Sequence, residues 1–97
     1  MRSGTSPSTG GGGGSALSLQ VVAGGPATQT DARVLYTVAG TLTLGDPTAV
    51  TEVEVKRDDA CVGDVVVEHP TLAASVTLTV PGSKATFLWT GLAWIVW

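Results

Sequence analysis

The residues able to do chemistry are few and far apart. The one histidine, His69, stands immediately before Pro70, and the one cysteine, Cys61, has no base fixed near it in sequence. A nucleophile needs a base within hydrogen-bond reach, and no serine sits in a Gly-x-Ser-x-Gly elbow. His69 therefore reads as a turn residue at a strand end, and Cys61 as a small buried hydrophobe. Asp58, Asp59 and Asp64, with Asp46 further off, supply carboxylate oxygens of the kind calcium takes. The loop that carries the first three lacks the alternating acidic ladder of a calcium-binding loop. The five glycines at Gly10–Gly14 lack the lysine and the strand-to-helix setting of a phosphate loop. Glu52 and Glu54 share one strand face, where solvated charges are the rule. These residues predict no catalytic group, no metal site and no cofactor, and so not an enzyme.

Aromatic side chains are the other resource. Trp89, Trp94 and Trp97 are the only tryptophans, and with Phe87 they fall in the last thirteen residues, which carry no charged side chain. Thr90-Gly91 between two aromatic and β-branched runs predicts a β-hairpin with a tight turn. Alternation puts Phe87 and Trp89 on one face of the first strand. Trp94 and Val96 share one face of the second, and Trp97 lies on the opposite side from Trp94. Facing aromatics across a hairpin build a core. Tryptophans on a β-scaffold also stack on sugars, which is the competing use of the same rings. Trp97, off the core face, is the first candidate for an intersubunit contact, with Trp94 beside it.

Composition limits what surrounds the hairpin. At 97 residues the chain is one domain at most, and such a domain buries roughly 60–65% of the surface its unfolded chain exposes. Only 13% of residues are charged, and the mean hydropathy is +0.33. That leaves little polar surface to cover a free monomer, so self-association or docking on a larger assembly is expected. The net charge is −3 with no basic cluster, which removes the electrostatic footprint of a nucleic-acid binder. A single cysteine gives neither a disulfide framework nor zinc spacing. No apolar leader follows Met1 and no run reaches the ~18 residues of a membrane span, so neither secretion nor a membrane is expected.

Residues 1–15 are Gly, Ser and Thr with little else. Such a segment has no apolar surface to offset its ordering entropy and reads as a flexible arm. Gly12 and Gly13 at its centre are candidates for lying along a partner surface. The β-domain is expected to occupy 16–97. Strands are predicted over 16–23, 33–39, 41–44, 49–56, 63–69 and 75–80, followed by the two of the hairpin. Period-2 alternation marks each, as in Val53 and Val55 against Glu52, Glu54 and Lys56. Gly24-Gly25-Pro26, Gly45-Asp46-Pro47 and Pro81-Gly82-Ser83 punctuate them. No stretch shows a helical period. The fold expected is all-β, a small antiparallel β-sandwich or barrel of about eight short strands.

The segment from Val76 to Val96 resembles the closing part of small β-domains in structural proteins of tailed bacteriophages. Its features are a strand, Pro81-Gly82-Ser83, a second strand, and the hairpin Trp89-Thr90-Gly91-Leu92-Ala93-Trp94. Thr41-Leu42-Thr43-Leu44-Gly45 is similar to a strand of those modules. No shaft, heptad or collagen-like repeat accompanies them, unlike a complete tail fibre. The resemblance implies a capsid decoration protein of the virion, made in the host cytoplasm. It would be a homotrimer on the outer surface of the head, bound to the major capsid protein and cementing it. A receptor- or glycan-binding module of a head or tail fibre is the alternative it implies.

Overall fold

The computed structural model describes residues 18–97. The arm expected over 1–15, with Gly12 and Gly13, and the first two residues of the expected domain lie outside the described residues. Among the described residues the chain is all-β. Nine strands follow one another: β1 (Gln20–Ala23), β2 (Ala27–Thr28), β3 (Arg33–Val38), β4 (Gly40–Thr43), β5 (Thr51–Arg57), β6 (Val65–Glu68), β7 (Val76–Leu78), β8 (Lys84–Trp89) and β9 (Trp94–Val96). They form a five-stranded sheet in the order β1-β3-β5-β8-β9 and a four-stranded sheet in the order β2-β4-β6-β7. β2 falls between the strands predicted over 16–23 and 33–39 and is an addition to them.

Both sheets are mixed, which corrects the expected antiparallel pairing. β1 pairs parallel to β3, β3 to β5, β2 to β4 and β4 to β6. Only β5–β8, β6–β7 and β8–β9 are antiparallel. The reason is the path of the chain. From β1 to β6 it alternates between the two sheets, so successive strands of one sheet are separated by a strand of the other. Strands that neighbour in a sheet then run the same way, since a tight hairpin joins only antiparallel partners. The glycine- and proline-rich turns after β1 and β4 therefore carry the chain across to the other sheet. Side-chain alternation marks which face is buried but is blind to strand direction.

One core lies between the sheets. Val22, Val34, Tyr36, Val53, Val55, Phe87 and Trp94 come to it from the first sheet, and Leu42, Val65, Val67 and Leu78 from the second. β3, β5 and β6 bury alternate residues, as the period of two requires. Tyr36 is fully buried and donates its hydroxyl to the Thr41 carbonyl at 2.9 Å. Burial pushes the Tyr36 phenol above its ordinary 10.0. The folded chain thus favours the neutral phenol, and the share of stability linked to it is intact at neutral pH. It is lost as the pH climbs past 10.0 and on through the raised folded-state value.

Arg57 continues the buried face of β5 beyond Val53 and Val55, one residue past the strand predicted over 49–56. Its guanidinium donates to the carbonyls of Leu78 at 3.3 Å and Cys61 at 3.1 Å. It also lies 3.6 Å from the half-exposed carboxylate of Asp64. This side chain braces the loop between β5 and β6 from beneath, while backbone bonds from Asp58 N–H to the Tyr36 carbonyl and from Gly40 N–H to the Asp64 carbonyl hold its two ends.

Gly40 marks where the turns between sheets crowd together. A β-carbon there would meet the Gly25 carbonyl oxygen at 2.5 Å and the Tyr36 ring at 3.1 Å. Neither backbone nor a fully buried ring can move aside cheaply. Gly40→Ala is expected to cost about 1–3 kcal/mol, read as a lower urea midpoint with an unchanged slope.

Candidate functional site

The terminal hairpin is the best-defined feature. β8 and β9 pair in the register Phe87↔Val96, Leu88↔Ile95 and Trp89↔Trp94. The connection is the four residues Thr90–Ala93, which contain the tight turn expected around Thr90-Gly91 and extend it by two residues. Thr90 explains the difference: its N–H donates to the Ala93 carbonyl, and its hydroxyl oxygen accepts the N–H groups of Leu92 and Ala93. Gly91 supplies the positive φ of 104° that the loop needs.

Trp94 turns inward and anchors three segments. Its ring is 1% exposed, and its indole N–H donates to the Gly45 carbonyl at 2.8 Å. Its backbone N–H donates to the Thr71 hydroxyl oxygen at 3.0 Å. Thr71 in turn lies against His69: its N–H donates to Nδ1 at 3.1 Å, and its hydroxyl lies 2.9 Å from the same nitrogen. Nδ1 is therefore the acceptor, so Nε2 carries the hydrogen and donates it to Asp46 Oδ1 at 2.8 Å. The His69 ring packs edge-on against Trp89 and Trp94, with centroids 6.2 and 6.4 Å away. The two indoles meet at 5.7 Å in the same manner.

In connectivity Thr71, His69 and Asp46 form a hydroxyl–imidazole–carboxylate relay. Nucleophilic acyl transfer also needs free donors around the reacting oxygen. The N–H groups nearest to Thr71 are already committed: its own to His69, that of Leu72 to the His69 carbonyl, and that of Trp94 to the hydroxyl itself. What the arrangement does is clamp the β4–β5 turn, the β6–β7 loop and β9 around one indole.

Sequence reasoning missed this cluster because Asp46 and His69 are 23 residues apart. The available signal was local: a threonine two residues beyond a histidine, across a proline, where both its groups can reach back to Nδ1. His69, read as a surface turn residue, has a side chain only 6% exposed. Thr71→Val keeps the shape but leaves the Trp94 N–H without an acceptor. It is expected to cost about 1–3 kcal/mol, seen as an earlier thermal melt.

The other sequence candidates are scattered. Cys61 is buried with its thiol toward the Gly63 carbonyl. Asp64 pairs with Arg57 and Asp46 with His69, while Asp58 accepts the Ala60 N–H within its own loop. No three His, Cys, Asp or Glu side chains converge among the described residues.

Of the tryptophans, Trp89 packs against the core and Trp94 belongs to it, so the ring of Trp94 offers nothing to a partner. Trp97 is 74% exposed, although its N–H is tied to the Thr86 carbonyl at 2.8 Å. A sugar platform would rest on Trp97 alone. Along the same hairpin Leu92, Ile95 and Val96 are also exposed. Beside β9 an apolar groove of about 420 Å³ opens between Ile95 and Val96 and the segment Leu72–Val76.

Comparison with protein-family models, curated proteins and solved structures returns no match. Among the described residues, no helix is long and apolar enough to cross a membrane.

Proposed function

We propose that this protein is a structural component of a phage-type virion, a capsid decoration protein that binds the outer surface of the head and stabilises it. Its partners are the major capsid protein and further copies of itself, as a homotrimer. One observation carries the reading: the hairpin that completes the core also presents an uncharged rim of Leu92, Ile95, Val96 and Trp97 to solvent. A monomer gains nothing from that exposure, whereas a subunit of a larger assembly buries it. The polar cluster of Asp46, His69 and Thr71 packs against the hairpin and ties it to the body. By mass action, a protein that binds only the closed shell raises the free energy of opening it.

The reading is tested with heads that lack the protein, prepared from the phage that encodes it. Added protein should co-sediment with them and raise the temperature at which they release their genome. A Trp97→Asp variant that stays folded should do neither. Absence of binding at micromolar concentration contradicts the proposal. A version lacking residues 1–15 is expected to keep the β-sheet circular dichroism of the full chain while binding heads more weakly.

A further inference from the structure

The five-stranded sheet has two edge strands, β1 and β9, both short, and neither is blunted by charge or proline. Natural edges are blunted by lysine, proline or inward-pointing charge. β1 reads Gln20-Val21-Val22-Ala23 and β9 reads Trp94-Ile95-Val96, without a charge or proline in either. The charges of this sheet gather on its middle strands, where Arg33, Glu54 and Lys84 form ion pairs at 3.5 and 3.4 Å. Toward both edges the outer face turns apolar: Leu19 and Val21 are 54% and 58% exposed at one side, Ile95 and Trp97 38% and 74% at the other. A solitary sheet facing water has no reason to be polar at its centre and apolar at both rims.

The backbone at β9 is also available. Trp97 N–H and Ala93 C=O point toward β8 and its turn, while Trp94 N–H points away, to Thr71. Alternation therefore turns the N–H and C=O of Val96 outward, beside the apolar groove. β9 is antiparallel to β8, which is antiparallel to β5, so β9 runs in the same direction as β5, β3 and β1. Rotating a copy about an axis along the strands preserves that direction. It brings β1 of the next copy against β9 as one more parallel strand. The irregular register between Val22 and Ala23 confines this pairing to the first part of β1.

We propose that β9 of one copy pairs with β1 of the next, so that the five-stranded sheets join edge to edge in a closed ring of three. The number three rests on the oligomer proposed above; the pairing rests on the two edges. Leu19, Val21, Ile95, Val96 and Trp97 together offer on the order of 500 Å² per contact, below the ~1,000 Å² of an interface that stands alone. A single pairing is thus weak, and closure, which gives every copy two contacts, makes the ring stable.

Cysteine trapping tests this on the full chain, since Val21, Ile95 and Trp97 are exposed and their replacement leaves the core intact. Val21→Cys mixed with Ile95→Cys or with Trp97→Cys should form a disulfide-linked pair under mild oxidation. Each variant alone should not, and the unaltered protein, with Cys61 buried, should not either. The double variant Val21→Cys/Trp97→Cys, or failing that Val21→Cys/Ile95→Cys, should stop at a trimer on a non-reducing gel. Homodimers of Ile95→Cys or Trp97→Cys alone would replace the proposal with a twofold β9–β9 contact. A ladder without a trimer stop would remove the ring, and no cross-link in any mixture would remove the pairing. Head binding without cross-links leaves the decoration reading standing; cross-linked rings with no affinity for heads do the reverse.

Discussion

Trp94→Ala is expected to remove about a third or more of the protein's stability at 25 °C. Truncating a buried tryptophan costs about 3–5 kcal/mol in lost transfer energy and cavity. Trp94 is 1% exposed, and its indole carries the hydrogen bond to Gly45 besides. A domain of this size has only about 4–12 kcal/mol in total, so one side chain holds a large share of it. Loss of the β-sheet signal in circular dichroism, or a urea midpoint shifted far toward zero, is the expected readout. Trp94→Phe separates the two contributions: it fills much of the volume but leaves the Gly45 carbonyl without its donor. It should cost about 1–2 kcal/mol. If Trp94→Ala melted within a few degrees of the unaltered protein, the clamp would not be what holds the hairpin to the body.

Arg57→Ala is the second large effect, expected at about 2–4 kcal/mol. Arg57 is 5% exposed and its guanidinium serves two carbonyls from different segments, so its removal leaves both Leu78 and Cys61 oxygens without that partner and empties the space under the loop. The cost is not mainly that of an ion pair. Asp64 is 56% exposed and 3.6 Å away, so Asp64→Asn should change stability by less than ~1 kcal/mol. Arg57→Lys should not rescue Arg57→Ala, because one ammonium lacks the planar fork that reaches both carbonyls. Equal losses for Asp64→Asn and Arg57→Ala would show that charge, and not the two carbonyl contacts, is what matters.

The all-β class was legible in the sequence because alternation survives in every long strand; Val53 and Val55 against Glu52 and Glu54 is the plainest case. Strand direction was not legible. Gly24-Gly25-Pro26 and Gly45-Asp46-Pro47 have the composition of hairpin turns, and nothing local says that the chain crosses to the other sheet there. β2 was missed because two residues, Ala27–Thr28, are too short to show a period. Arg57 lies one residue past the strand predicted over 49–56, because a charged residue type argues for a loop, yet its position two residues beyond Val55 puts it on the buried face.

The hairpin divided as its alternation implied, with Phe87 and Trp94 inside and Trp97 out. Val96 departs from that division. It shares the inner face with Trp94 yet is 54% exposed, because it borders the open groove at the sheet edge. The His69 cluster was invisible for a different reason. Asp46, His69 and Thr71 meet only once the β4–β5 turn and the β6–β7 loop converge on Trp94, a consequence of the sheet-to-sheet path that the sequence does not display.

The central claim is that this chain belongs to the surface of a phage head. Quantitative mass spectrometry of purified particles, with antibody labelling to locate the chain, tests it most directly. The account predicts hundreds of copies per particle, in fixed proportion to the major capsid protein and distributed over the head. A few copies confined to the tail, or none in the particle at all, would contradict it.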